Sequence, residues 1–218
     1  MFWGEWIMRT APLQGSQARW LPGPKRLASV HVHIGVLASG GGTIFQAILD
    51  GGIPVEVVVS DRPDCGALER ARAAGVPAVV VDRRAFLPDR VAFTEAVVDA
   101  LRAHDVDLVA MAGFMTILEK PIFDSFPNRV INTHPSLLPA FRGAHAVHDA
   151  LHAGVKVTGC TVHIATLEVD DGPILAQEAV PVEPSDDEDA LHERIKRVER
   201  RLYPAVLATL LERGDANL

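Results

Sequence analysis

Cysteine is scarce in this chain. Its 218 residues include only Cys65 and Cys160, far apart and in no metal-ligand spacing. That excludes a disulfide scaffold and points to a reducing compartment, so a cytoplasmic protein is expected. Aromatic residues make up 6%, with a single tyrosine, and all three tryptophans fall at Trp3, Trp6 and Trp20. Basic residues are outnumbered 21 to 28, for a formal net charge of −7. Non-specific nucleic-acid binding needs a basic footprint, which is missing. A small anionic ligand is not excluded, because local fields need not follow net charge. No apolar run reaches the roughly 18 residues of a membrane-spanning helix, and no internal repeat is visible.

The composition is otherwise that of a globular domain, 48% hydrophobic and 22% charged. Residues 1–28 stand apart: they show no sustained period, lack the apolar centre of a secretory signal and close on Gly23-Pro24. They are expected to be a flexible leader, an upstream start-codon artefact, or an arm that packs on a partner. Residues 29–214 are expected to form one domain.

Within that domain strands and helices alternate. VHIGVLAS, VEVVVSD, AVVVD, DLVAMAG and RVINTH read as strands. TIFQAILDG and ALERARAAG read as helices closed by Gly51 and Gly75, and a longer helix is expected from about Asp89 to Ala103. This order implies an α/β fold, a doubly wound and mostly parallel sheet of Rossmann-like type. From Lys156 the pattern changes: VTGCTVHIA and PILAQEAVPV read as neighbouring strands joined by EVDDGP, an antiparallel addition in the C-terminal third. A final helix follows. Ser185 and Glu188 fit a capping box, and Leu191, Ile195, Val198 and Leu202 form its apolar stripe. Pro204 is expected to bend or restart it.

Ligands of doubly wound sheets bind beyond the C-terminal strand ends, where four stretches fall: SGGGT, AGFMTIL, NTHPSLLP and EVDDGP. SGGGT could be a tight strand–helix turn. It could also be a dinucleotide fingerprint built on Gly40, Gly42 and Asp61, although Phe45 stands where a third glycine belongs. A monophosphate site is preferred, since glycines let backbone N–H groups approach an anion at a helix N-terminus. In NTHPSLLP, Asn132 and His134 lie two apart on a strand and so share a face. A lone histidine there would be structural. Beside Asn132, and with Asp170 in a turn able to face it, His134 suits an oxyanion site, in which the carboxylate raises the imidazole pKa and keeps the ring charged. No Ser, Cys or Lys is set up as a covalent nucleophile, so direct attack by a substrate nucleophile on a bound carbonyl is expected. His145, His148 and His152 recur at helical spacing. The stretch is rich in histidine, and no metal is expected.

SGGGT, LERARAAGVP, AGFMTIL, INTHPSLLP, TVHIATLEVDDGP and KRVERRLYP together resemble the phosphoribosylglycinamide formyltransferases, folate-dependent enzymes of purine synthesis, from about residue 31 to about 214. The resemblance implies formyl transfer from 10-formyltetrahydrofolate, as co-substrate, to the amine of glycinamide ribonucleotide. It implies Asn132, His134 and Asp170 as the catalytic trio. Gly42, Thr43, Ile44, Lys196 and Glu199 would hold the ribonucleotide. Arg90, Met115, Thr116, Ile117, Leu118, Asn132, Thr166, Leu167, Glu168, Val169 and Asp170 would hold the folate. Without it, Lys196 and Glu199 would read as a solvated salt bridge and Arg90 as an ordinary helix charge.

The chain departs from the family pattern at four places. Ile44 replaces a common Asn, Thr116 a usual Arg, Arg142 a common Pro, and Asp171 a frequent Gly. Asp171 could therefore be confused with Asp170. A formyltetrahydrofolate deformylase shares the trio but usually carries an N-terminal regulatory domain. A methionyl-tRNA formyltransferase usually carries a C-terminal RNA-binding domain. A folate- or nucleotide-binding sensor of the same fold is the non-catalytic alternative. Small-molecule substrates, no nucleic acid, no membrane, and a monomer or homodimer are expected.

Overall fold

Short runs of β-branched and aliphatic residues become one seven-stranded sheet in the computed structural model, which describes residues 32–213. The reading of residues 1–28 lies outside the described residues. In chain order the elements are β1 (Ile34–Leu37), α1 (Thr43–Asp50), β2 (Val57–Ser60), α2 (Gly66–Ala74), β3 (Ala78–Val80), α3 (Arg90–Arg102), β4 (Leu108–Met111), α4 (Lys120–Ser125), β5 (Val130–His134), α5 (Ala146–His152), β6 (Val157–Ile164), β7 (Ile174–Pro181) and α6 (Glu188–Arg213). The sheet order is β3-β2-β1-β4-β5-β6-β7. The first five strands run parallel, and β6 and β7 join antiparallel, as the change of pattern after Lys156 implies.

The sheet is covered on both faces, which explains why β1, β2 and β4 read as nearly continuous apolar runs. Ile34 and Val36 face a core built with Phe45 and Ile48 of α1 and Tyr203 and Leu207 of α6. Leu37 and Val59 face Phe93, Val97 and Leu101 of α3 and Ile122 of α4. Each large side chain buried this way contributes roughly 1.5–3 kcal/mol. Tyr203 also donates its hydroxyl to the Ile131 carbonyl at 2.8 Å, tying α6 to β5, the strand that carries Asn132 and His134.

Two local expectations are corrected in α6. Its cap is Asp187, whose carboxylate accepts the Ala190 N–H at 2.8 Å; Ser185 lies too far upstream for the capping box. Pro204 does not restart the helix, which runs unbroken to Arg213. A proline deprives only one carbonyl of its partner, and buried Pro204 packs where a Cβ on Gly51 would come within 3.3 Å. Among the described residues, no helix is long and apolar enough to cross a membrane.

Candidate active site

The sheet order turns back between β1 and β4, and the loops after β1, β4 and β5 open at this switch point. Asn132 pairs across the antiparallel ladder with His163 of β6, and His134 with Thr161. The β6–β7 turn brings Asp170 back over the end of β5. It holds Asp170 at φ 55°, a left-handed conformation that aspartate tolerates better than most residues. Gly172 is obligatory in that turn, since a Cβ there would lie 1.8 Å from the Ile164 carbonyl oxygen.

The result is a buried polar chain. Asp170 Oδ2 lies 3.3 Å from His134 Nδ1 and accepts the Gly143 N–H at 2.8 Å. Its other oxygen lies 3.6 Å from His163 Nε2. The His134 Nε2–H donates to the Phe141 carbonyl at 2.7 Å. His163 donates from Nδ1 to the Ile164 carbonyl at 3.0 Å, and its Nε2 lies 3.2 Å from the Asn132 amide nitrogen. The Asn132 amide nitrogen carries two N–H donors and has this single contact, so at least one N–H stays available.

The electrostatics correct one expectation. Burial is the dominant influence on His134 and lowers its pKa, outweighing the Phe141 carbonyl and the Asp170 carboxylate, which raise it. The carboxylate therefore does not by itself keep the ring charged. Burial also opposes ionisation of Asp170, but His163, the Gly143 N–H and His134 together hold its carboxyl below the ordinary value. Burial thus opposes charge on both partners of the His134–Asp170 contact. Asp171 points elsewhere and pairs with Arg142 at 2.5 Å, both side chains exposed. Two departures from the family pattern thus meet each other.

The glycine loop carries Gly42 in a left-handed conformation at the head of α1, with no side-chain cap on the N-terminal N–H groups. Thr43 is exposed, whereas the Ile44 side chain is packed in the core. Asp61 is fully buried, with Oδ2 accepting the Thr116 hydroxyl at 2.6 Å, and that burial keeps it from the ribose contact a dinucleotide fingerprint requires. Lys196 and Glu199 share one helix but not one environment. Lys196 is half-buried, while Glu199 is 5% exposed and accepts the Thr133 hydroxyl at 3.1 Å. The surface salt-bridge reading fails for Glu199, whose pKa is raised by burial against Thr133, Lys196 and Arg200.

Arg90, Met115, Thr116 and Ile117 come together on one cavity of about 440 Å³, with Phe86, Leu87 and Phe93. Met115 and Ile117 expose their side chains there, Leu118 turns into the core, and Arg90 pairs with Glu119 at 2.8 Å. Thr166, Leu167, Glu168 and Val169 line no part of that cavity. Leu167 and Val169 are exposed, and the Thr166 hydroxyl donates to the Glu168 carbonyl within the turn. His148 and His152 stack at 6.0 Å, but among the described residues no cluster of three or more potential ligands could hold a metal.

The formyl transferase family pattern matches residues 32–207. The chain belongs to the formyl transferase family. It is 50% identical to the phosphoribosylglycinamide formyltransferase of Mycobacterium tuberculosis over 183 residues, 82% of this chain and 85% of the relative. The Bacillus subtilis protein of the same name is 37% identical over 182 residues, covering 81% and 93%. Among solved structures, glycinamide ribonucleotide transformylase 1 from Symbiobacterium toebii superposes with a TM-score of 0.81 at 49% identity, covering 84% of this chain and 89% of that one.

Two residues at this candidate site escape sequence reasoning. His163 bridges Asn132 and Asp170, and Arg70 reaches from α2 to donate to the Gly41 carbonyl at 2.8 Å. His163 is signalled only by its alternation in TVHIA. Arg70 resembles any other charge on a helix surface.

Proposed function

We propose that the protein transfers the formyl group of 10-formyltetrahydrofolate to the amine of glycinamide ribonucleotide, in purine biosynthesis. The observation that carries this reading is the buried chain Asn132–His163–Asp170–His134 at the end of β5. The substrate amine attacks the formyl carbon and forms the new C–N bond. The developing oxyanion accepts the spare amide N–H of Asn132 and the Nε2–H of His134, which turns to it from the Phe141 carbonyl. Negative charge on the intermediate favours the imidazolium, whose Nδ1 proton is taken from water as the intermediate forms, is held by Asp170, and returns to water as the intermediate collapses. The C–N bond to the folate breaks, and the proton lost by the amine passes to the folate nitrogen by way of Asp170 and water.

Gly42, Thr43 and the Ile44 backbone receive the phosphate, with Lys196 beside it and Glu199 on the ribose. The folate lies over Met115 to Leu118 and Asn132, against residues 166–170, with its glutamate end toward Arg90. A covalent enzyme intermediate has no support: the Cys160 thiol is buried and its pKa is pushed up to about 12. Both cysteines are free and buried, which suits a cytoplasmic enzyme.

The test supplies both substrates and follows folate absorbance. Turnover requiring the ribonucleotide is expected, with a loss of roughly 100-fold or more in Asn132→Ala and in His134→Ala. Formate release without ribonucleotide would instead identify a deformylase. Near-full activity in either variant would remove the proposed mechanism.

A further inference from the structure

We propose that Arg70 is a positioning residue for the phosphate loop, an inference that rests on the reading of residues 42–44 given above. The loop is pressed against the start of α2: a Cβ on Gly66 would lie 3.0 Å from the Gly41 carbonyl oxygen, and one on Gly42 would lie 2.7 Å from the Ala67 Cα. Two carbonyls are fixed from the α2 side. The Ala67 N–H donates to Gly40 at 3.1 Å, and Arg70 Nε donates to Gly41 at 2.8 Å. In a planar trans peptide the N–H points opposite to its carbonyl. Holding these two carbonyls toward α2 therefore turns the N–H groups of Gly41 and Gly42 away from it.

The same guanidinium donates from Nη1 to Gln46 Oε1 at 3.2 Å, and Gln46 in turn donates to Asp50 at 2.9 Å, so the grip extends along α1. Both acceptors of Arg70 are neutral, and among the described residues no carboxylate pairs with it. Its charge stands uncompensated beside the positive end of α1, where the two fields favour an anion together. Arg70 acts through the loop it holds.

The experiment compares the wild type with Arg70→Met and Arg70→Lys, using glycinamide ribonucleotide and the corresponding ribonucleoside that lacks the phosphate. Arg70→Met is expected to raise KM for the ribonucleotide about ten-fold, with kcat and the folate KM within about two-fold. Arg70→Lys, which keeps the charge without the planar fork, should recover part of the loss. With the phosphate-free analogue, the three proteins should have equal KM. An equal rise on both substrates would make Arg70 a general structural residue and overturn the proposal, as would an unmoved ribonucleotide KM. A wild type that turns over no ribonucleotide would overturn the proposed reaction itself, a different and separately visible result.

Discussion

Ile44 stands where a polar residue is common at the head of α1, and its side chain belongs to the core beside Phe45 and Ile48. Only its backbone N–H can serve a ligand. Ile44→Asn would bury an amide without partners and remove apolar burial, so a destabilisation of roughly 2–4 kcal/mol is expected. Thermal melts would show this, and ribonucleotide affinity per folded molecule should be unchanged. A gain in affinity at constant stability would mean that the position faces the phosphate. The burial of Ile44 is legible in the sequence, since residues 44, 45 and 48 share a helical face. The role of His163 is not. Strand alternation says which face a residue takes, but not which residue of the next strand stands opposite. Only the register Asn132↔His163 brings that imidazole to the site.

At the scale of elements, strands and helices are legible because buried parallel strands need β-branched runs and the helices between them need one apolar stripe. Loops are less so. The segment after β5 and the β6–β7 turn meet through two adjacent ties, the Gly143 N–H to Asp170 and Arg142 to Asp171. Sequence alone leaves the two neighbouring acids hard to tell apart. The fold separates them: Asp170 is buried against His134, while Asp171 is exposed. An exposed ion pair contributes about 0.2–1 kcal/mol. Asp171→Asn is therefore expected to leave turnover within about two-fold and to shift stability by no more than that contribution. Asp170→Asn removes the charge facing His134 and should cut turnover by roughly 100-fold. Steady-state rates for the two variants decide this, and comparable losses in both would show that the turn acts as one acidic patch.

Across the whole molecule, the proposed site sets two opposing limits on stability as pH changes. His134 has its folded-state pKa lowered by burial. Its contribution is full above its ordinary value of 6.5 and is lost as pH falls from there, because the unfolded chain then binds the extra proton. Glu199 works in the other direction. Burial raises its folded-state pKa above the ordinary 4.5, so within that window the native protein holds a proton the unfolded chain has released. Stability falls as pH rises through the window, and at higher pH a buried carboxylate must be held by the Thr133 hydroxyl with only distant help from Lys196 and Arg200. Such a group is hard to justify by stability and easy to justify as a ligand contact. Glu199→Gln keeps the shape and removes the charge. Its melting temperature should exceed that of the wild type at pH 7 to 8, by an amount equivalent to about 1–3 kcal/mol. The gap should close as pH falls toward 4.5, while KM for the ribonucleotide rises at neutral pH. Melts of both proteins across that range test the sign: a gap that stays constant with pH would show that Glu199 is accommodated without cost in its ionised form.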